Sequence, residues 1–127
     1  MAAFKRIEEI QAWQMARVIT KMTYEMTNTG TISRDFGLRD QMRRACVSVM
    51  ANIAEGFGRR TDREFARYLD IAQGSACEAQ SHLYVALDLG YLKQEQFDQL
   101  YSELGDVGRK IFALVQHLRP EPARQPQ

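Results

Sequence analysis

Proline is almost missing from this chain: there are three, all at or beyond residue 120. Everything before them is therefore free of the residue that most strongly breaks a helix. Histidine is nearly as scarce, with only His82 and His117. They share no carboxylate at ligand spacing, and Glu78–His82 is one Glu/His pair where a di-metal site in a helical bundle needs two Glu-x-x-His pairs. No metal site is expected, and no cofactor. Cysteine is limited to Cys46 and Cys77, with no CxxC spacing. Antiparallel neighbours would put them about a turn out of level and on different faces, so reduced thiols are expected. No apolar run approaches the roughly 18 residues that span a membrane. The opening MAAFKRIEEIQAW carries scattered charge rather than a signal peptide's apolar core, so a cytoplasmic, non-membrane protein is expected. Phosphate-loop patterns are absent too, since GFGRR at 56–60 reads as a helix end followed by bases. Ser48 and Ser75 lack a neighbouring base, which leaves no nucleophile–base pair and no expectation of an enzyme.

What the chain does have is helical period. A length of 127 residues, 45% hydrophobic and 26% charged, suits one self-sufficient domain. The central stretch, Leu38 to Arg60, places Leu38, Met42, Cys46, Val49, Met50, Ile53 and Phe57 on one face. Its other side carries a polar line of Gln41, Arg44, Ser48, Asn52 and Glu55, flanked by Ala45, Ala51 and Ala54. Short polar side chains beside alanines point to a packed setting in which each must find a hydrogen-bond partner. A structural network is the expected role, with Gly56 and Gly58 ending the helix.

The first helix is expected over about Phe4 to Asn28, with Phe4, Ile7, Met15, Val18, Met22 and Met26 inward and Gln11 interrupting. Ile10, Trp13 and Tyr24 form a second line, about 100° or more around the helix. It needs either a wrap-around neighbour in the bundle or another subunit; Trp and Tyr favour a subunit interface. Residues 29–37 read as the longest connection. Thr61 is an N-cap candidate with Glu64 as its capping-box partner. The third helix then runs to about Leu89 on a core line of Phe65, Tyr68, Leu69, Ala72, Ala76, Ala79, Leu83, Ala86 and Leu87. Gly74 in its middle suggests a close crossing by another helix. Ser75, Glu78, His82 and Leu89 form a second, partly polar line. A fourth helix, about Gln94 to Leu118, turns Phe97, Leu100, Leu104, Ile111, Val115 and Leu118 inward, with Gly108 on the same face.

The expected fold is therefore all-α, an up-down-up-down antiparallel four-helix bundle over residues 1–119, with a disordered Pro-rich tail at 120–127. The net charge of +1 does not by itself advertise nucleic acid. Its distribution says more. This topology gathers Lys5, Arg6, Arg59, Arg60, Arg63, Arg67, Arg109, Lys110 and Arg119 at one end, diluted by Glu8, Glu9, Asp62, Glu64, Asp106 and Glu121. Clustered arginine is the footprint of a phosphate-binding surface, though a solvated end that balances helix dipoles has the same composition.

Residues 41–83, QMRRACVSVMANIAEGFGRRTDREFARYLDIAQGSACEAQSHL, resemble the core signature of the 23S ribosomal RNA intervening-sequence (S23) family of bacterial four-helix bundles. The matching elements are Gln41-x-Arg-Arg-Ala45, Ser48, Asn52-Ile-Ala-Glu-Gly56, Arg59, Phe65, Ala72-x-Gly-Ser75 and Glu78. Trp13-Gln-x-Ala16 and Leu89-Gly-Tyr-Leu92 fit as well. The 29–37 connection departs from it by lacking the proline often found there. The resemblance implies a cyclic homo-oligomer, with a pentamer favoured. It extends to the accessory variability proteins of diversity-generating retroelements, more basic bundles that bind nucleic acid and a reverse transcriptase. Two functions stand: an oligomeric bundle binding RNA or another nucleic acid through Lys5, Arg6, Arg59, Arg60, Arg63 and Arg67, or a protein-interaction adaptor with no nucleic-acid ligand.

Overall fold

The computed structural model describes residues 4–119. The expected tail at 120–127 lies outside them. The described residues form four α-helices and no strand: α1 (Gln11–Met26), α2 (Phe36–Phe57), α3 (Asp62–Asp88) and α4 (Gln94–Leu118). Short cross-helix contacts fix their directions. Thr23 on α1 and Thr27 at its C-cap meet Cys46 (3.4 Å) and Arg43 (2.8 Å) on α2. Ser48 on α2 meets Ser75 on α3 at 2.8 Å, and the Gln80 amide of α3 donates to the Tyr101 carbonyl of α4 at 3.1 Å. With Gly56 of α2 also facing Phe65 of α3 and Gly108 of α4 facing Gln73 of α3, a rising number on each helix meets a falling number on the next. The architecture is the expected antiparallel four-helix bundle.

The helix ends follow local chemistry. Asp35 accepts from the Leu38 amide at 3.2 Å and starts α2; Thr61 accepts from the Glu64 amide at 3.1 Å and starts α3. The Gln96 side chain reaches back to the Lys93 amide at the start of α4. Gly58 caps α2, whereas Gly56 lies inside its last turn for a different reason. A Cβ on Gly56 would stand 2.8 Å from Tyr68 Cβ and 2.9 Å from Phe65 Cδ1, so only glycine lets α3 come this close.

The core line expected of α3 is largely realised: Phe65, Leu69, Ala72, Ala76, Ala79, Leu83 and Ala86 are buried, joined by Ala66. Tyr68 and Leu87 are only half-buried. On α4 all six expected inward residues are buried. Val107 replaces Gly108, which faces Gln73 instead. Cys46 is a buried free thiol, pushed up from the ordinary thiol range by desolvation, while Cys77 is free and exposed.

The first helix differs from expectation. It is broken: a 3-10 turn at Ile7–Glu9 is followed by Ile10 in extended conformation, and α1 starts only at Gln11. Its buried face is Ala12, Ala16, Ile19 and Thr23, while Val18 is 56% exposed. The hydroxyl of Thr23 donates to the Ile19 carbonyl at 2.9 Å and that of Thr27 to Thr23 at 2.7 Å. Backbone acceptors thus satisfy both threonines and let them sit inside. Ile10 is 1% exposed within a single chain. The break drops it into the core, which corrects its assignment to a subunit interface. The 29–37 connection also holds structure, a 3-10 turn at Thr31–Arg34 that buries Ile32.

Candidate nucleic-acid interface

Two helix ends and the short turn between them build the basic end of the bundle. Tight packing at Gly56 brings the last turn of α2 against the first turns of α3. Arg59 and Arg60 project from the turn; Arg63 and Arg67, one helical turn apart, share a face of α3.

Tyr68 is the hub. The Arg59 guanidinium donates to its hydroxyl at 2.7 Å and to Glu55 Oε1 at 2.7 Å. The guanidinium carbons of Arg59 and Arg67 each lie 4.8 Å from the Tyr68 ring centroid, within cation–π range. Tyr68, followed by Glu55, favours the Arg59 cation and raises its pKa above the ordinary value. Sequence periodicity placed Tyr68 in the core and so missed this role. The nearby arginines were a signal that a tyrosine at a helix start can turn its ring to cations.

The remaining bases sort by partner. Arg6 is exposed and tied to Glu8 at 2.7 Å; the hydrogen bond raises the Arg6 pKa and lowers that of Glu8. Arg109 pairs with Asp106, and Arg119 reaches across from α4 to Asp70 on α3 at 3.0 Å. Lys5, Arg60 and Arg63 are exposed and make no ion pair with a described residue; Arg67 has only its aromatic contact. The expected cluster is therefore uneven. Arg60, Arg63 and Arg67 present charge without a counterion among the described residues, whereas Arg59 and Arg6 are already engaged.

The polar line of α2 breaks into pieces. Ser48, Asn52 and Ser75 make one half-buried set: Ser48 Oγ to Ser75 Oγ at 2.8 Å, and the Asn52 amide to Ser48 O and Oγ at 2.9 and 3.0 Å. Glu55 belongs to Arg59 instead, with its side chain 54% exposed. Gln41 and Arg44 are exposed and join neither set. Within the chain the polar line therefore forms a three-residue bridge and a surface ion pair, with Gln41 and Arg44 outside both. The two other aromatic residues assigned to an interface also have contacts within the chain. Trp13 is half-buried with Arg17 5.9 Å from its ring, and Tyr24 is 42% exposed beneath Arg43 at 4.5 Å.

The second, partly polar line expected on α3 is realised on the outer surface of the α2–α3 pair, with exposed apolar residues interspersed. Ile71, Ser75, Glu78, His82, Val85 and Leu89 repeat with heptad spacing along α3, with Ile71, Val85 and Leu89 exposed by 42%, 43% and 54%. Val47 and Ala51 continue the surface on α2. Gly74 lies here in open space: a Cβ added to it would meet nothing within 4 Å, so none of the described helices makes the crossing expected there.

Among the described residues no group of three or more His, Cys, Asp or Glu is placed to hold a metal, and no helix is long and apolar enough to cross a membrane. Fold and site together define an antiparallel four-helix bundle with an arginine-bearing inter-helix turn. The family pattern described as 23S rRNA-intervening sequence protein matches residues 8–113, and the chain belongs to that family. A solved structure of a protein of unknown function from the S23 ribosomal protein family of Bacteroides thetaiotaomicron VPI-5482 shares the fold. It superposes with a TM-score of 0.72 at 19% identity, covering 87% of this chain and 99% of that one. No curated protein matches the sequence.

Proposed function

We propose that this protein is a non-enzymatic homo-oligomeric bundle that binds RNA through its arginine-bearing end. The observation that carries the reading is the trio Arg60, Arg63 and Arg67, exposed at one end of the bundle and making no ion pair with a described residue. Arginine forks suit bidentate contact with phosphate oxygens. Arg59 and Tyr68 hold the trio's surroundings in place. Assembly rests on the heptad-spaced outer surface of α3, with Gly74 leaving room for a neighbouring helix; a closed ring of copies, five by the family resemblance, would repeat the basic end about one axis. That same apolar surface favours a second reading, an adaptor whose partner is a protein and which binds no nucleic acid.

A salt titration of binding to a short stem-loop RNA tests the reading. Each neutralised phosphate contributes roughly 0.9 to the slope of log affinity against log salt on duplex nucleic acid. Arg60→Ala with Arg63→Ala is expected to weaken binding and flatten the slope by about 2, leaving helicity and oligomer size unchanged. Arg59→Ala should change the slope less, since its charge is shared with Glu55. Equal slopes for wild type and the double variant would move the site elsewhere. No binding by the wild type at low salt would leave the adaptor. A monomer by sedimentation at micromolar concentration would remove the ring.

A further inference from the structure

The outward seam between α3 and α4 carries an aromatic-walled groove. A hollow of about 350 Å³ lies in its middle, lined among others by Gln73, Cys77, Gln80 and Phe112. Phe112, 56% exposed, stands at one end. At the other, Tyr84 and Tyr101 are 49% and 36% exposed, edge to face with ring centroids 5.6 Å apart. Gln80 joins the hollow to this pair by donating to the Tyr101 carbonyl at 3.1 Å. The chain's own exit points at the groove. Arg119, the last described residue, donates to Asp70 Oδ2 at 3.0 Å. Asp70 lies one turn before Gln73 on the same side of α3, so residue 120 leaves the bundle beside the Phe112 end. Residues 120–127, PEPARQPQ, follow. Their three prolines favour an extended polyproline path and remove three amide donors that an apolar surface cannot satisfy. Aromatic-lined grooves recognise proline-rich segments on this basis.

We propose that residues 120–127 lie back along this groove of their own chain, antiparallel to α4, with Pro122 against Phe112 and Pro126 toward Tyr101. Length carries the register. At about 3.1 Å per residue, the eight residues reach roughly 25 Å. The stretch of α4 from Leu118 back to Tyr101 is also roughly 25 Å long. Pro122 falls about 9 Å beyond Arg119, and Phe112 lies about 10 Å back along the helix. The docked segment covers the exposed thiol of Cys77, while Cys46 is buried in the core. None of Arg60, Arg63 and Arg67 takes part, so the proposal stands or falls apart from RNA binding.

Cys77 reactivity toward an aromatic disulfide reagent, measured on the full chain at low micromolar concentration, tests it. Pro122→Asp with Pro126→Asp, both beyond the helices, should undock the segment and leave helicity unchanged. A segment docked for about three-quarters of the time shields the thiol about fourfold, so this variant should react about fourfold faster. Phe112→Ala, at an exposed position, should also raise the rate, and adding it to the double variant should raise it no further. Nuclear Overhauser contacts between Pro122 and the Phe112 ring should appear in the wild type at the same concentration. Equal rates for wild type and the double variant, additive effects of the two changes, or absence of the Pro122–Phe112 contact overturn the proposal. Shielding that grows with protein concentration assigns the groove to a second copy and overturns it as well.

Discussion

The seam between α2 and α3 and the seam between α1 and α4 are built from opposite materials. Along the first, Gly56 lies buried against Phe65 and Tyr68, and two serine hydroxyls meet at 2.8 Å. Small side chains let the helix backbones approach until a single added methyl group at Gly56 would collide. Along the second, Met15, Met22 and Met26 stand only partly buried, and hollows of about 380, 250 and 470 Å³ follow one another from the Met26 end to the Gln11 end. Long flexible side chains hold two helices together without filling the space between them. The bundle therefore has one side where shape is strictly specified and one where it is adaptable.

Truncation should expose that difference most. Leu69, fully buried on α3, is expected to lose about 2–5 kcal/mol as Leu69→Ala, because the tight side cannot collapse around the cavity. Met22→Ala on the open seam should lose about 1 kcal/mol, since the side chain is already partly solvated. Urea denaturation of both variants checks this, and equal losses would erase the contrast.

The two glycines sharpen it further. Gly56→Ala is expected to destabilise by about 1–3 kcal/mol through overpacking against Phe65 and Tyr68, despite alanine's better helix propensity. Gly74→Ala, with open space around it, should instead stabilise the subunit by about 0.5–1 kcal/mol. If the outer surface of α3 is covered by a neighbouring copy, the same change should weaken association. Thermal unfolding and sedimentation of the two variants read these signs separately.

The smallest effect belongs to Glu55. Its ion pair with Arg59 is half-exposed on both sides, so Glu55→Ala is expected to cost less than about 1 kcal/mol. A loss above about 2 kcal/mol, typical of a broken buried network, would restore the polar line as a packed element.

The α3 core line was legible in the sequence because it repeats large and small apolar residues with one period, Phe65, Leu69, Ala72, Ala76, Ala79 and Leu83. The fourth helix was legible for the same reason. The first was not. Its longest apolar residues, Met15, Val18, Met22 and Met26, mark the loose seam and the surface. Its buried face is instead written in Ala12, Ala16, Thr23 and Thr27, and a threonine counts as polar until its hydroxyl is seen to bond the preceding turn. The arginine-bearing turn was visible as composition. Which arginines were already engaged was not, because Glu55, Arg59, Arg67 and Tyr68 meet only once two helices are packed.

One carboxylate at the opposite end has a consequence for how the bundle opens. Asp35 uses Oδ1 to accept from the Leu38 amide and Oδ2 to accept from the Tyr91 hydroxyl at 3.0 Å. The same hydrogen bond raises the Tyr91 pKa by favouring the neutral phenol. The first turn of α2 and the loop that joins α3 to α4 are therefore latched by a single residue. Fraying of that turn and swinging of that loop become one cooperative event rather than two. Amide hydrogens at Leu38 and around Tyr91 should accordingly exchange with solvent at a common opening rate, although more than fifty residues of chain separate them.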